Sequence, residues 1–116
     1  MDFQTAVRTC FNRYATFTGR ARRPELWWFA LFNLLAGAVL AVVDAVLGFE
    51  FFSSIYSLLV LLPSLAVGAR RLHDIGRSGW WQLLSLIPVI GVLVLIYWYI
   101  QPGDPEANEY GPPPPA

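Results

Sequence analysis

The 116-residue chain is 56% hydrophobic and only 14% charged, and its mean hydropathy is +0.49. Because soluble domains carry about 25% charged residues, this composition excludes an ordinary water-soluble domain and predicts one compact unit that uses the lipid bilayer as its solvent. The net charge is zero, yet all eight basic residues are arginines at or before Arg77, an asymmetry that predicts membrane topology and argues against a nucleic-acid partner.

The first element is an amphipathic helix over about residues 2–17. Its larger apolar side chains recur every three or four residues from Phe3 to Phe17, while Arg8 and Arg13 lie on the opposite face. The segment is too polar to cross a bilayer and too basic for a cleaved signal peptide. We expect it either to lie on the lipid headgroups or to pack on the protein's own loops. Cys10, the single cysteine, excludes an internal disulfide, and we expect it to be a packing residue.

Two apolar runs predict the first two membrane spans, over about residues 25–47 and 51–69. The first begins after Pro24, a favoured first-turn residue, and contains roughly 20 apolar residues, enough for about 30 Å of helix. Small or short polar residues recur every three or four positions, so we expect a tight hairpin that turns at residues 48–50. These stripes are Asn33, Gly37, Ala41, Ala45 and Gly48 in the first run and Ser53, Ser57, Ser64 and Gly68 in the second.

Prolines interrupt the later apolar segments. Pro63 removes a backbone hydrogen bond from the second span, and we expect Ser64 to satisfy the freed group. A third span is predicted over about residues 80–100, kinked at Pro88 and bounded by aromatic clusters at residues 80–81 and 97–99. Residues 101–116 are rich in proline, glycine and acidic side chains, which predicts an irregular tail without a core.

Together these elements predict an all-α membrane protein, with three transmembrane helices and an amphipathic helix in one domain over residues 1–100. A polar hinge, residues 70–81, separates the second and third spans. Arginines precede the first span and occupy the hinge, whereas the first loop and the tail have none. The positive-inside rule therefore predicts a cytoplasmic N-terminus and hinge, with the tail on the opposite side of the membrane.

Several strings of residues are specific enough to indicate a family. They are GRARR and ELWWF at residues 19–23 and 25–29, RRLHD and GRSGWW at residues 70–74 and 76–81, and NEYGP at residues 108–112. This pattern resembles the YhaH-like bacterial inner-membrane family, domain of unknown function 805. The resemblance implies a small multi-pass protein of the bacterial inner membrane, whose tail would then be periplasmic. It implies no activity, cofactor or catalytic residue.

Six arginines are candidates for a binding surface at the cytoplasmic side, with Glu25 and Asp74 as counter-charges. Guanidinium groups suit phosphates and carboxylates, so the surface is predicted to bind anionic lipid headgroups or an acidic segment of a partner. Alternatively, the arginines only set the topology and pair internally. The resulting hypothesis is a non-enzymatic interaction or structural module that self-associates or binds another membrane protein. The six residues are Arg20, Arg22, Arg23, Arg70, Arg71 and Arg77.

Two other functions stay open. A transport or channel subunit could use Asn33 and Asp44, the one charged residue inside a predicted span. A membrane enzyme could use His73 and Asp74 in an interfacial cleft, although adjacent residues diverge by about 100° on a helix. No catalytic residue is predicted, because a nucleophile, an oriented base and an oxyanion donor cannot all be identified. One histidine and one cysteine predict no metal site, and no cofactor is expected.

Overall fold

A computed structural model describes residues 2–114 as four α-helices and one 3₁₀-helix, with no β-strand in that range. The elements are α1 (Phe3–Asn12), α2 (Arg23–Leu47), α3 (Phe52–Asp74), the 3₁₀-helix (Gly79–Leu86) and α4 (Ile90–Tyr99). At 1.5 Å per residue, α2 and α3 are about 37 and 35 Å long, more than the thickness of a bilayer's hydrocarbon core. Within residues 2–114, these two helices are the ones long and apolar enough to cross a membrane. The all-α prediction is confirmed, with two such helices instead of three.

Helix α1 is shorter than predicted and packs on α2. It ends at Asn12, because residues 13–22 leave the helix to reach α3 and the start of α2. Ala6 and Cys10 are fully buried on its inner face. The Phe11 ring meets the Phe29 ring of α2 edge to face, with 5.4 Å between the ring centroids. The apolar face of α1 is therefore covered by a membrane helix and not by loops.

Helices α2 and α3 form the predicted hairpin, and polar side chains join them. Gly48 ends α2 in the left-handed conformation, with φ of +80°. The Asp44 carboxylate accepts hydrogen bonds from the backbone N–H groups of Phe52 and Ser53, each at 3.0 Å, and so caps α3. Deeper in the hairpin, the Asn33 side chain meets residues of α3, as described below. Each contact satisfies a polar group that lipid could not satisfy.

The glycines in the stripes of small residues do not make the close helix contact that we predicted. A Cβ atom added to Gly37 would meet no atom within 4 Å, and one added to Gly68 would meet Gln82 and Tyr99 instead of α2. Ala41 and Ala45 line an open groove of about 270 Å³ between α2 and α3. The hairpin therefore relies on its polar contacts more than on close backbone approach.

Pro63 lies inside α3 and creates a local need for a hydrogen-bond donor. Because proline has no N–H group, the Leu59 carbonyl four residues earlier lacks its helical partner. The Tyr14 hydroxyl donates to this carbonyl. Ser64, which we expected in this role, is instead 3.5 Å from the side-chain amide of Asn33. Tyr14 thereby ties the segment after α1 to the middle of α3.

The third predicted span is not a single helix. Its second half, α4, has ten residues and rises only about 15 Å, half the thickness of the hydrocarbon core. The 3₁₀-helix stops before Pro88, which has no N–H group to donate. Its last hydrogen bond runs from the Ile87 N–H to the Leu84 carbonyl, at 2.9 Å. The chain then reverses direction at Val89, where φ is +64°. A Cβ atom on Gly91 would overlap the Leu84 carbonyl, so glycine lets α4 fold back closely. Residues 79–99 thus form a short helical hairpin, in which the Trp81 and Trp98 rings meet.

The tail returns to the hinge. The backbone N–H of Asp104 donates to the Asp74 carbonyl at 2.7 Å, and the Asn108 side chain donates to the His73 carbonyl at 2.9 Å. Hinge and tail therefore lie at the same end of the α2–α3 hairpin. The prediction that they lie on opposite sides does not fit the structure, because it rested on the absence of arginine from the tail and not on contacts. The end of the predicted irregular tail, residues 115–116, lies outside the described residues.

We expect labelling to find the hinge and the tail on one side of the membrane. In a Cys10→Ala background, single cysteines introduced by Arg77→Cys and Glu109→Cys should react with an impermeant maleimide in the same preparation, either spheroplasts or inverted vesicles. A Glu50→Cys variant at the hairpin turn should react in the other preparation. Labelling of positions 77 and 109 from opposite sides would contradict the contact between the hinge and the tail.

We also expect Tyr14→Phe to destabilise the fold by about 1–3 kcal/mol, because it leaves the Leu59 carbonyl without a donor. The free energy of unfolding in detergent measures this cost. In a Pro63→Ala background the helix regains its own N–H donor, so the same Tyr14→Phe change should cost clearly less. Equal costs in the two backgrounds would show that the hydroxyl does not serve this carbonyl.

Candidate functional site at the hinge

Arg70 and Glu25 form a buried ion pair that joins α3 to α2. Arg70 Nη1 donates to the Glu25 carboxylate, and Arg70 Nε donates to the Thr16 carbonyl at 3.1 Å. The exposed fraction is 0% for Arg70 and 4% for Glu25. Burial removes the hydration of both ions, so each depends on the other. Arg70 Nη2 has no hydrogen-bond partner among the residues that the structure describes.

Cys10 lies against this ion pair and stays protonated at neutral pH. Its Sγ atom is 3.9 Å from the Glu25 carboxylate. Burial and, next in size, the negative charge of Glu25 raise the pKa of Cys10 to about 12. Because the thiolate is the reactive and metal-binding form, this environment makes Cys10 a packing residue.

Asp74 is shared by two arginines. Its two carboxylate oxygens lie 2.8 Å from Arg20 Nε and 2.9 Å from Arg71 Nη1, and all three side chains are buried. Arg20 and Arg71 together carry ten N–H donors, more than one carboxylate can bind, so backbone carbonyl oxygens accept hydrogen bonds from the rest. For Arg20 these are the carbonyls of Asp74, Asp104, Glu106 and Gly111, and for Arg71 they are those of Ala21, Tyr99 and Gln101.

We call the three arginines and two carboxylates described above the buried arginine cluster. Three guanidinium groups against two carboxylates leave one net positive charge inside the protein. Because the arginines are buried and bonded to the protein's own oxygens, the cluster has the properties of a scaffold and not of an open phosphate site. It brings together the segment before α2, the end of α3, the end of α4 and the tail.

The other three predicted site arginines lie nearer the surface. Arg22 is half-buried at the start of α2. Arg23 is exposed, with Nη1 3.4 Å from the Ile100 carbonyl. The exposed Arg77 guanidinium lies 4.3 Å from the centre of the Trp98 ring, close enough for a cation–π contact. Arg23 and Arg77 therefore flank the last turn of α4.

His73 faces a groove and not Asp74. Its Nδ1 is 2.9 Å from the Gly19 carbonyl, and its ring stacks on Tyr110 with centroids 4.0 Å apart. The groove has a volume of about 760 Å³ and lies between α3 and the 3₁₀-helix. The cleft expected for an interfacial enzyme is thus present. The Asp74 carboxylate is engaged in the buried arginine cluster, however, so the structure does not bring these two side chains together as an acid–base pair.

The side chains expected along a transport path are engaged within the hairpin. Besides capping α3, Asp44 accepts a hydrogen bond from the Ser53 hydroxyl at 2.6 Å. Asn33 accepts one from the Tyr56 hydroxyl at 2.7 Å, and its amide contacts Ser64. These contacts give both residues a structural role within one chain.

Sequence reasoning missed the tail as part of the site. Residues 108–112 contributed to the family resemblance, yet we expected a tail without a core. Two features of the sequence could have indicated that the tail belongs to the site. One is the specific string at residues 108–112, and the other is that the six candidate arginines have only two carboxylates beside them in the sequence. Such an excess of buried donors requires acceptors from elsewhere, and the backbone of residues 101–111 supplies them.

Comparison with known proteins assigns most of the chain to one family. Residues 14–112 match the family described as Protein of unknown function (DUF805). Inner membrane protein YhaH of Escherichia coli (strain K12) is 47% identical over 98% of this chain and 97% of its own length. Inner membrane protein YhaI of the same strain is 46% identical over 86% of each chain. No solved structure matches.

We expect Asp74→Asn to destabilise the protein by about 3–5 kcal/mol, because it leaves Arg20 and Arg71 buried without a counter-charge. Thermal or chemical unfolding in detergent measures the change. Glu106→Gln is the matched control, since this exposed side chain lies outside the cluster, and it should change the free energy of unfolding by less than about 0.5 kcal/mol. Equal stability of the two variants would show that the ion pairs do not hold the hinge.

Proposed function

The chain belongs to the DUF805 family of proteins of unknown function, and from this premise we propose that it is a non-enzymatic interaction module of the inner membrane. In this proposal the hinge end lies at the cytoplasmic leaflet, as the concentration of arginines favours. Its exposed arginines contact anionic headgroups or an acidic segment of a partner. The buried arginine cluster holds that surface in shape.

The division of the arginines into two groups carries the proposal. Arg20, Arg70 and Arg71 are buried, whereas Arg23 and Arg77 are exposed at the same end of the molecule. Arginines needed only for topology could all remain in water, so burial of three indicates a structure that requires a defined shape. The exposed pair has side chains that phosphates can reach.

Tryptophans beside the exposed pair support a position at the headgroups. Trp98 contacts Arg77 and packs edge to face on Trp81, with 5.6 Å between the ring centroids. Trp27, on the turn after Arg23, donates its indole N–H to the Tyr99 carbonyl at 3.3 Å. Tryptophan side chains are enriched at membrane–water interfaces, where an arginine tip reaches the phosphates.

Association with a second copy or another membrane protein forms the second part of the proposal. Two small residues of α2, Ala41 and Ala45, are exposed along the groove near the hairpin turn. Such stripes allow another helix to approach closely. A transport role would require an oligomer in which Asp44 and Asn33 leave their present contacts, and an enzyme would have only His73 in the cleft. Both alternatives have less support than the interaction module.

We expect Arg23→Gln combined with Arg77→Gln to weaken binding of phosphatidylglycerol about 30-fold, since each surface arginine contributes roughly 1 kcal/mol of attraction to anionic lipid. Competition between labelled phosphatidylglycerol and phosphatidylcholine on the detergent-solubilised protein measures the effect. The control, Arg8→Gln with Arg13→Gln, removes two exposed charges from or beside α1 and should reduce binding less. Equal losses in the two double variants, or no loss in either, would contradict a headgroup role for Arg23 and Arg77.

A further inference from the structure

The groove beside His73 has the imidazole at its hinge end and mainly apolar side chains at its other end. One wall is a row of α3 residues, Leu65, Ala69 and His73, spaced four residues apart and therefore on one face of the helix. From Leu65 to His73 the helix rises about 12 Å. Because α3 ends just past His73, the imidazole lies near the hinge end and Leu65 lies deeper along the membrane-spanning part.

The opposite wall is straight because it is a 3₁₀-helix. With three residues per turn, side chains at positions i and i+3 eclipse one another. Trp80, Leu83 and Leu86 consequently form an apolar column, and Gly79, Gln82 and Ser85 form a second column of small and polar residues. An α-helix, with 3.6 residues per turn, would rotate these rows away from the groove. The two walls approach closely at one end, where a Cβ atom on Gly79 would lie 2.7 Å from the Ala69 Cβ.

His73 presents an unused nitrogen at the polar end. The Gly19 carbonyl can only accept a hydrogen bond, so Nδ1 carries the hydrogen in that contact and Nε2 of the neutral ring is an acceptor. Nε2 lies on the side of Gly79, a groove residue, and no hydrogen bond to Nε2 occurs within residues 2–114. Stacking on Tyr110 fixes the plane of the ring.

The groove opens sideways where a bilayer would lie. The exposed fractions of Trp80, Leu83 and Leu86 are 77%, 58% and 77%, so the apolar column is accessible from the outer surface of the molecule. A volume of about 760 Å³ falls within the range of about 300–1,000 Å³ that is usual for small-molecule sites. A molecule that enters this groove from the hydrocarbon and reaches His73 with a polar group must have both an apolar and a polar part. The groove therefore suits an amphiphile.

We propose that this groove holds one acyl chain of a bilayer phospholipid, and that the headgroup of this lipid donates an N–H or O–H hydrogen bond to His73 Nε2. The chain lies along the column of Trp80, Leu83 and Leu86. The site selects headgroups by their hydrogen-bond donors and not by net charge. This site includes none of the arginines of the proposed headgroup surface, so the two proposals can be tested independently.

Phosphatidylethanolamine and phosphatidylcholine separate these two properties, because both headgroups are zwitterionic and only the former has N–H donors. Native mass spectrometry of the detergent-solubilised chain, with the two lipids matched in chain length, should show one saturable lipid per protein. We expect retention of phosphatidylethanolamine to exceed that of phosphatidylcholine about fivefold, the effect of one ordinary hydrogen bond. His73→Phe keeps a ring to stack on Tyr110 and removes both nitrogens, so the ratio should fall to about one.

A second pair of variants tests the acyl-chain part of the site. Ser85→Trp fills the apolar end of the groove and should lower retention of both lipids. Val39→Trp, on an exposed face of α2 outside the groove, should leave it unchanged. Equal retention of the two lipids by the unaltered protein, or unchanged retention by Ser85→Trp, would overturn the proposal. Neither of these two results depends on the His73→Phe variant, so they test the proposal even if circular dichroism shows that this variant is misfolded. If His73→Phe is folded and keeps the fivefold ratio, that result would also overturn the proposal.

Discussion

Arginine burial at one end of a helical hairpin is the constraint on which this structure depends. Arg20, Arg70 and Arg71 place their guanidinium groups where neither water nor lipid can satisfy them, and only two carboxylates are close. Apart from Arg70 Nη2, the other guanidinium nitrogens bind oxygen atoms of the chain itself, which is why separate segments converge on them. A membrane protein of this length has few apolar residues left for a core, and its order at the hinge comes from polar contacts.

This constraint explains the path of the chain after the hinge. Residues 79–99 are apolar enough to suggest a third crossing, yet the carbonyls of Tyr99 and Gln101 are needed at Arg71. A helix that crossed the bilayer would carry these carbonyls about 30 Å away. The reversal near Pro88 returns them to the starting end. Because of this reversal, α4 packs on the 3₁₀-helix, and the groove lies between the 3₁₀-helix and α3.

Much of the fold could be predicted from the sequence, because it follows from local rules. The bounds of α2, the start of α3 and the turn at Gly48 depend on apolar length and on residues that favour helix ends. Helix α3 instead continues to Asp74, five residues past the predicted span. The contacts of Arg20 with the tail and of Tyr14 with Leu59 join residues more than 40 positions apart. No periodicity encodes such pairs. The residue types of the site could therefore be predicted, whereas its division into buried and exposed arginines depends on these long-range contacts.

The contact between Arg20 and residues 104–111 also limits when the protein can finish folding. Arg20 emerges from the ribosome before any membrane helix, whereas three of the carbonyls that it binds, those of Asp104, Glu106 and Gly111, emerge after all of the helices. Until then its guanidinium must stay hydrated at the membrane surface, since burial without those acceptors is costly. Closure of the hinge around Arg20 therefore follows synthesis of α2, α3 and α4, and it is a late step in folding.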